Sequence, residues 1–276
     1  MYDTIIIGGG PAGLQAALTL GRMHRDVLLL DSGQYRNGTV DHAHNYATHD
    51  GRSPAEIRRL AREDVARYAT VEVREIAADG VTRDGDEFIV TIGDTAERAA
   101  TLVLATGVRD QLPDVPGLAD AWGKEIAHCP FCHGHEFAGG RVALDVEGAH
   151  ADRLQAMLGR IGAELVDVAG QVQRVERVDG GLVLTLDSGA EKVDGMFIGP
   201  SFVQSAPFAA QLDLELNESG CIAVDAFQTT SVAGVFAAGD AAHLRELPMP
   251  LPSVLTAQSA GLVAASACVQ HLIAAR

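Results

Sequence analysis

Cys129 and Cys132 stand with two residues between them, flanked by His128 and His133. At this spacing two cysteines can close a disulfide or act as a dithiol, with the thiolate as the nucleophile. A neighbouring imidazole lowers a thiol pKa when charged and carries the thiol proton when neutral. The same residues admit three other readings. Zinc takes cysteine and histidine, but a structural site wants four ligands and no second C-x-x-C or H-x-x-x-H partner is present. Cys129-Pro130-Phe131-Cys132-His133 matches the C-x-x-C-H of covalent haem attachment literally. The pair could also be two inert buried thiols. Cys221 and Cys268 have no close partner in sequence and read as ordinary core or surface residues.

A second constellation lies at the N-terminus. Gly8-x-Gly10-x-x-Gly13, with Pro11 and Ala12 inside it, follows the apolar run Thr4-Ile5-Ile6-Ile7 and opens an Ala-rich helix. The glycines allow a tight turn and close approach of backbone to a pyrophosphate, and the helix N-terminus offers N–H groups and the positive end of its dipole. Val27-Leu28-Leu29-Leu30 then reads as a second buried strand. It ends at Asp31, 18 residues beyond Gly13, where a carboxylate can accept from ribose hydroxyls. This is a βαβ dinucleotide-binding pattern, and it does not by itself separate FAD from NAD.

The rest of the chain must position these two groups. A helix is predicted over 53–68, with Ser53 as N-cap, Pro54 at the first helical position and Glu56 three residues after the cap. Strands are predicted at 71–76, 87–92 and 101–105, the last leading into Ala105-Thr106-Gly107. The turn-rich stretch 111–117 marks a boundary. A smaller unit follows from about 139 to 199, with a strand at 141–145, a helix at 152–161 and a strand at 164–168. A final helix is predicted over 252–273. The chain has 276 residues, is 47% hydrophobic and carries a net charge of −16. An acidic surface disfavours nucleic acid as a partner. No apolar run of ~18 residues suggests a membrane span. Met1-Tyr2-Asp3 is followed at once by an apolar strand, without a charged leader, so a cytoplasmic setting is expected.

Gly8–Gly13, Ala105-Thr106-Gly107, the C-x-x-C at 129–132 and Gly234-Val235-Phe236-Ala237-Ala238-Gly239-Asp240 stand in an order that resembles the low-molecular-weight thioredoxin reductase family across most of the chain. The resemblance implies an α/β fold: a Rossmann-like FAD domain at 1–112 and 200–276, interrupted by a smaller, degenerate α/β domain at 113–199. It also implies FAD as cofactor, held by Gly8, Gly10, Pro11, Ala12, Gly13, Asp31, Ala105, Thr106, Gly107, Gly239 and Asp240, with Asp240 at a ribityl hydroxyl. A homodimer goes with the family. In typical members an acidic residue follows the second cysteine. Here His133 stands there, and Cys129-Pro130-Phe131-Cys132-His133-Gly134-His135-Glu136 is more similar to dithiol oxidases that close disulfides in natural products. That likeness implies Cys132 as the flavin-proximal cysteine, Cys129 as the interchange cysteine and His133 as acid/base, with His135 or Glu136 assisting. His42, His44 and His49 fall in the polar loop Asp41 to Gly51, where members of the family approach the flavin, but read as chance surface histidines.

The insert departs from the family. After the strand at 141–145 comes Asp145-Val146-Glu147-Gly148-Ala149-His150, with one glycine and two carboxylates where a second pyrophosphate would sit. Like charge opposes phosphate there. From Gly139 to Gly199 there are only 61 residues, which fits one βα unit and a strand meander rather than two mononucleotide halves. No metal is expected. The expected function is FAD-dependent dithiol–disulfide exchange with a small dithiol or a thioredoxin-like protein, run as an oxidase using oxygen. The alternatives are a thioredoxin reductase fed by NADPH or ferredoxin, and a degenerate non-catalytic flavin protein. Arginines 58, 59, 62 and 67 are the candidate docking patch for a protein partner, or simply a solvated helix face.

Overall fold

A computed structural model describes residues 1–275. The chain forms two compact units. The first comprises Met1–Arg36, Ala55–Arg109 and the chain from Val203 onward; the second comprises Asn37–Pro54 and Asp110–Phe202. The expected cuts at 112/113 and 199/200 thus fall at 109/110 and 202/203, and residues 37–54 group with the insert rather than with the larger unit. The reason is local. An antiparallel bridge between Ala43 and Arg52 closes this loop on itself. Thr39 packs so closely on Gly123 that an added Cβ would lie 2.4 Å from its Oγ1.

In the first unit, β1 (Tyr2–Ile7), α1 (Pro11–Arg22) and β2 (Val27–Leu30) form the βαβ opening. They are followed by α2 (Pro54–Val65), β3 (Val71–Arg74), β4 (Gly80–Asp84), β5 (Glu87–Ile92) and β6 (Thr95–Leu104). The sheet runs β3-β2-β1-β6-β5-β4, and Val235–Ala237 also pairs with β6. β3, β2, β1, the second half of β6 and Val235–Ala237 are parallel, while β4, β5 and the first half of β6 form an antiparallel meander. This dual pairing makes β6 longer than the predicted 101–105. β4 was not anticipated.

Both faces of the parallel part are covered. Ile5, Ile7, Leu28 and Leu30 point into one core, and Ile6, Val27 and Leu29 into the other. Two-sided burial explains why the strands read as unbroken apolar runs; each such side chain contributes about 1.5–3 kcal/mol relative to exposure. On the second face α1 packs against the helix Val254–Ala274, which Ser253 caps by accepting from the Thr256 N–H at 3.0 Å. The crossing is close: a Cβ on Gly261 would meet the Ala12 carbonyl oxygen at 2.1 Å. This helix is long and apolar enough by composition to cross a bilayer, contrary to the expectation that no such run exists. In the fold its Ala257, Gly261, Ala264, Ala265, Cys268, Val269 and Leu272 are buried.

The second unit contains a four-stranded parallel sheet in the order Glu164–Asp167, Arg141–Asp145, Gly195–Ile198, Ile126–Ala127. One helix, Gly148–Gly159, connects the two strands at its edge. It begins four residues earlier than predicted, at a glycine with φ +57°. Val172–Val178, Gly181–Leu186 and Gly189–Val193 form an antiparallel meander. Among the described residues, the unit therefore holds one crossover helix longer than a single turn.

Candidate functional site

Three segments meet at the end of β1. A Cβ on Gly8 (φ +115°) would sit 2.2 Å from the Ala105 carbonyl oxygen, and one on Gly13 would sit 1.8 Å from the Gly8 oxygen. Glycine is obligatory at both. Gly239 (φ +76°) lies against Ala12, with its added Cβ 3.1 Å from that side chain. The structure thus brings together Gly8, Gly10, Pro11, Ala12, Gly13, Ala105, Thr106, Gly107, Gly239 and Asp240. Gly10 differs from its neighbours in having open space where a Cβ would stand. It also precedes an α1 N-terminus with no side-chain cap. An open glycine face and uncapped N–H groups fit a dinucleotide pyrophosphate.

Gly9, part of the glycine turn but given no role of its own in the sequence, is needed for another reason: a Cβ there would lie 2.0 Å from the Asp31 carboxylate. Asp31 is 2% exposed. Its Oδ1 accepts from the Gly33 N–H at 3.0 Å, and its Oδ2 accepts from Tyr35 Oη at 2.7 Å and from Arg62. Burial pushes its pKa up, but these hydrogen bonds and the Arg62 charge outweigh that and hold the carboxyl below its ordinary range. A carboxylate offers about four acceptor positions, and the Gly33 N–H, Tyr35 and Arg62 occupy three of them. At the far end Arg36 donates to Asp240 Oδ2 at 2.8 Å, with both side chains about one-fifth exposed. Neither Arg36 nor Arg62 was singled out as a site residue. The signal was weak, since an arginine on a helix or loop is ordinarily solvated.

In the second unit Cys129 and Cys132 are joined in a disulfide. Pro130–His133 forms one helical turn in which Cys132 and His133 both donate backbone N–H to the Cys129 carbonyl at 3.1 Å. Pro130 suits this first helical position because its missing N–H would be unpaired there. The turn leaves Phe131 67% exposed between the cysteines. It buries Gly134, whose added Cβ would strike the Pro130 carbonyl oxygen at 2.4 Å.

His133 is half-buried, and its Nδ1 has no hydrogen-bond partner among the described residues. Burial pushes its pKa below 6.5; Glu136 opposes that shift, His44 adds to it, and a hydrogen bond to the Gly123 backbone opposes it. His135 is exposed. Glu136 Oε1 lies 3.5 Å from His44 Nε2, and His44 Nδ1 lies 3.6 Å from Asp50 Oδ2. This corrects the reading of the 41–51 loop: His44 joins the cluster. His42 turns its Nδ1 to the Gly51 carbonyl at 3.1 Å, and His49 packs edge-on against Tyr46. Among the described residues no group of three or more His, Cys, Asp or Glu is placed to hold a metal.

At the end of strand Arg141–Asp145, where a second nucleotide would lie in a doubly wound unit, Asp145 Oδ1 accepts from the Gly170 N–H at 2.8 Å. The residue preceding helix Gly148–Gly159 is Glu147. Both are carboxylates.

A family model described as "Pyridine nucleotide-disulphide oxidoreductase" matches residues 2–163 and 149–261. The chain is 33% identical to "Thioredoxin reductase tcpT" of Claviceps purpurea, with 90% of this chain and 89% of that protein covered. It is also 33% identical to "Thioredoxin reductase aclD" of Aspergillus oryzae, covering 99% and 96%. Among solved structures, an oxidoreductase from Agrobacterium tumefaciens superposes with a TM-score of 0.85 at 31% identity, covering 100% of this chain and 99% of that one.

Proposed function

Because this chain belongs to the pyridine nucleotide-disulphide oxidoreductase family, and is an FAD-dependent, thioredoxin reductase-like disulfide oxidoreductase, we propose that it oxidises a small dithiol to a disulfide and delivers the electrons to oxygen. The observation that carries the oxidase reading is the carboxylate-lined strand end in the second unit, where Asp145 bonds to Gly170 and Glu147 precedes the helix.

In this reading a substrate thiolate attacks Cys129 Sγ, the Cys129–Cys132 bond breaks, and Cys132 leaves as a thiolate. The second substrate thiol then attacks the substrate sulfur of the mixed disulfide, Cys129 leaves, and the substrate departs as a disulfide. His133 accepts the protons of the attacking thiols, its imidazole being held by burial in the neutral form above a lowered pKa. Glu136 stabilises the imidazolium, and His135 at the mouth of the turn assists. FAD, when bound, would supply the two-electron acceptor for the reduced cysteine pair, with oxygen, taken to hydrogen peroxide, as the final acceptor. Gly8, Gly10, Pro11, Ala12, Gly13, Asp31, the 105–107 turn, Gly239 and Asp240 would hold it. A homodimer in a cytoplasmic setting is part of the same proposal.

A second reading, reduction of a thioredoxin-like protein, is favoured by the names of the relatives. One experiment separates the two. The protein is reduced anaerobically with dithiothreitol and air is then admitted. An oxidase bleaches quickly, recovers its flavin spectrum quickly and releases peroxide; flavin that stays bleached for minutes in air sinks the oxidase reading.

Two further outcomes are expected. Heat should release FAD rather than FMN, identified by chromatography, because both ends of a dinucleotide site are present. Millimolar NADPH or NADH should reduce the flavin far more slowly than a dithiol does, because the carboxylates at Asp145 and Glu147 repel pyrophosphate. Stopped-flow bleaching within milliseconds of mixing with NADPH would restore the reductase reading.

A further inference from the structure

The loop that closes between Ala43 and Arg52 brings His44 to Glu136, although 92 positions separate the two in sequence. Its geometry is specific. Asn45, in the left-handed region at φ +60°, donates its backbone N–H to Asp50 Oδ1 at 2.7 Å. The other Asp50 oxygen faces His44 Nδ1 at 3.6 Å, and the opposite ring nitrogen faces Glu136 Oε1 at 3.5 Å. An imidazole with a carboxylate beside each ring nitrogen is biased in orientation, as outer partners bias histidines in functional sites.

We propose that His44, oriented by Asp50, is a positioning residue that holds the Glu136 carboxylate in place to tune the proton affinity of His133. The proposal rests on the reading of His133 as the proton carrier and extends it to a residue outside the cysteine motif. Glu136 is 37% exposed and stands on a short 3-10 turn, so without an anchor its side chain would sample solvent. His133 is half-buried with an unpartnered Nδ1 and responds to whichever charges lie near it. The groups that act on it include Glu136, on its own segment, His44, from the loop, and the Gly123 backbone. Their signs oppose. Glu136 favours the imidazolium and His44 disfavours it. A carboxylate that is held therefore acts on His133 differently from one that is free to swing away.

The test is an NMR titration of the oxidised protein containing 13C-labelled histidine, with the His133 signal assigned by its loss in His133→Gln. Glu136→Gln should lower the His133 pKa by about 0.5–1 unit, less than the 1–3 units of a close, unscreened charge because Glu136 is partly exposed. In a His44→Ala background the same Glu136→Gln change should shift it by less than half as much. In a His44→Gln background, where an amide can still donate to Glu136, most of the shift should return. An equal shift with and without His44, or no shift on Glu136→Gln in the parent protein, overturns the proposal. If His44→Ala does not fold, Asp50→Asn carries the same test, since it loosens His44 without touching Glu136: the shift must shrink, and an undiminished one overturns the proposal. The titration involves no turnover, so its failure is separate from that of the dithiol reading, which the anaerobic reduction decides.

Discussion

Cys129→Ser and Cys132→Ser should each abolish dithiol-driven flavin reduction while leaving the flavin bound. The rate should fall by at least about 10³-fold, the scale on which removing an essential nucleophile acts. Each cysteine has its own reason. Without Cys129 there is no sulfur for the substrate thiolate to attack, and without Cys132 there is no leaving group and no disulfide to re-form. Serine is nearly isosteric and the Pro130–His133 turn is held by backbone hydrogen bonds, so the fold should survive. Cofactor retention is expected because the glycine contacts that shape its cradle lie in the first unit. Anaerobic stopped-flow absorbance with dithiothreitol measures the rate, and the visible spectrum measures the bound flavin. If either variant bleaches at the parent rate, that cysteine is off the electron path.

His133→Ala should slow the same reduction by roughly 10²–10⁴-fold near neutral pH, the usual contribution of a positioned acid/base. The pH dependence gives the sign. Burial, only partly offset by Glu136, holds the imidazole below 6.5. The ring is therefore neutral and ready to accept a proton above that lowered pKa. The parent rate should climb as pH rises through it and then flatten. In the variant the substrate thiol must ionise unaided, so the rate keeps climbing toward the ~8.5 of a free thiol. The gap between the two proteins narrows as pH rises. A loss constant across pH would assign His133 to packing instead.

The parts of the site legible in the sequence are those whose physics is local. Gly13 is demanded by the Gly8 carbonyl five residues away; the contact that demands Gly8 is with remote Ala105, yet a strand–glycine–helix pattern announces both. The cysteine turn is equally local: two residues of spacing, a proline where the helix starts, a glycine where the backbone closes. His44 was not legible, because its value lies in Glu136 and Asp50, which no periodicity connects to it; without them a histidine in a polar loop is unremarkable. Arg62 was hidden in the same way. It reads as one of several arginines on α2, yet its partner is the buried carboxylate that ends β2. The start of helix Gly148–Gly159 was missed because no Ser, Thr, Asp or Asn precedes it. β4 was missed because only its pairing with β5 makes a strand of Gly80–Asp84.

The grouping of residues 37–54 with the second unit bears on modular engineering of this scaffold. A designer wishing to transplant the disulfide module would cut at 109 and 202, the obvious single insertion. That cassette carries the cysteines, His133 and Glu136, but leaves His44 and Asp50 behind in the recipient. A working graft therefore needs two exchanged pieces, and a chimera made with one should inherit the chemistry of its donor with the proton balance of its host.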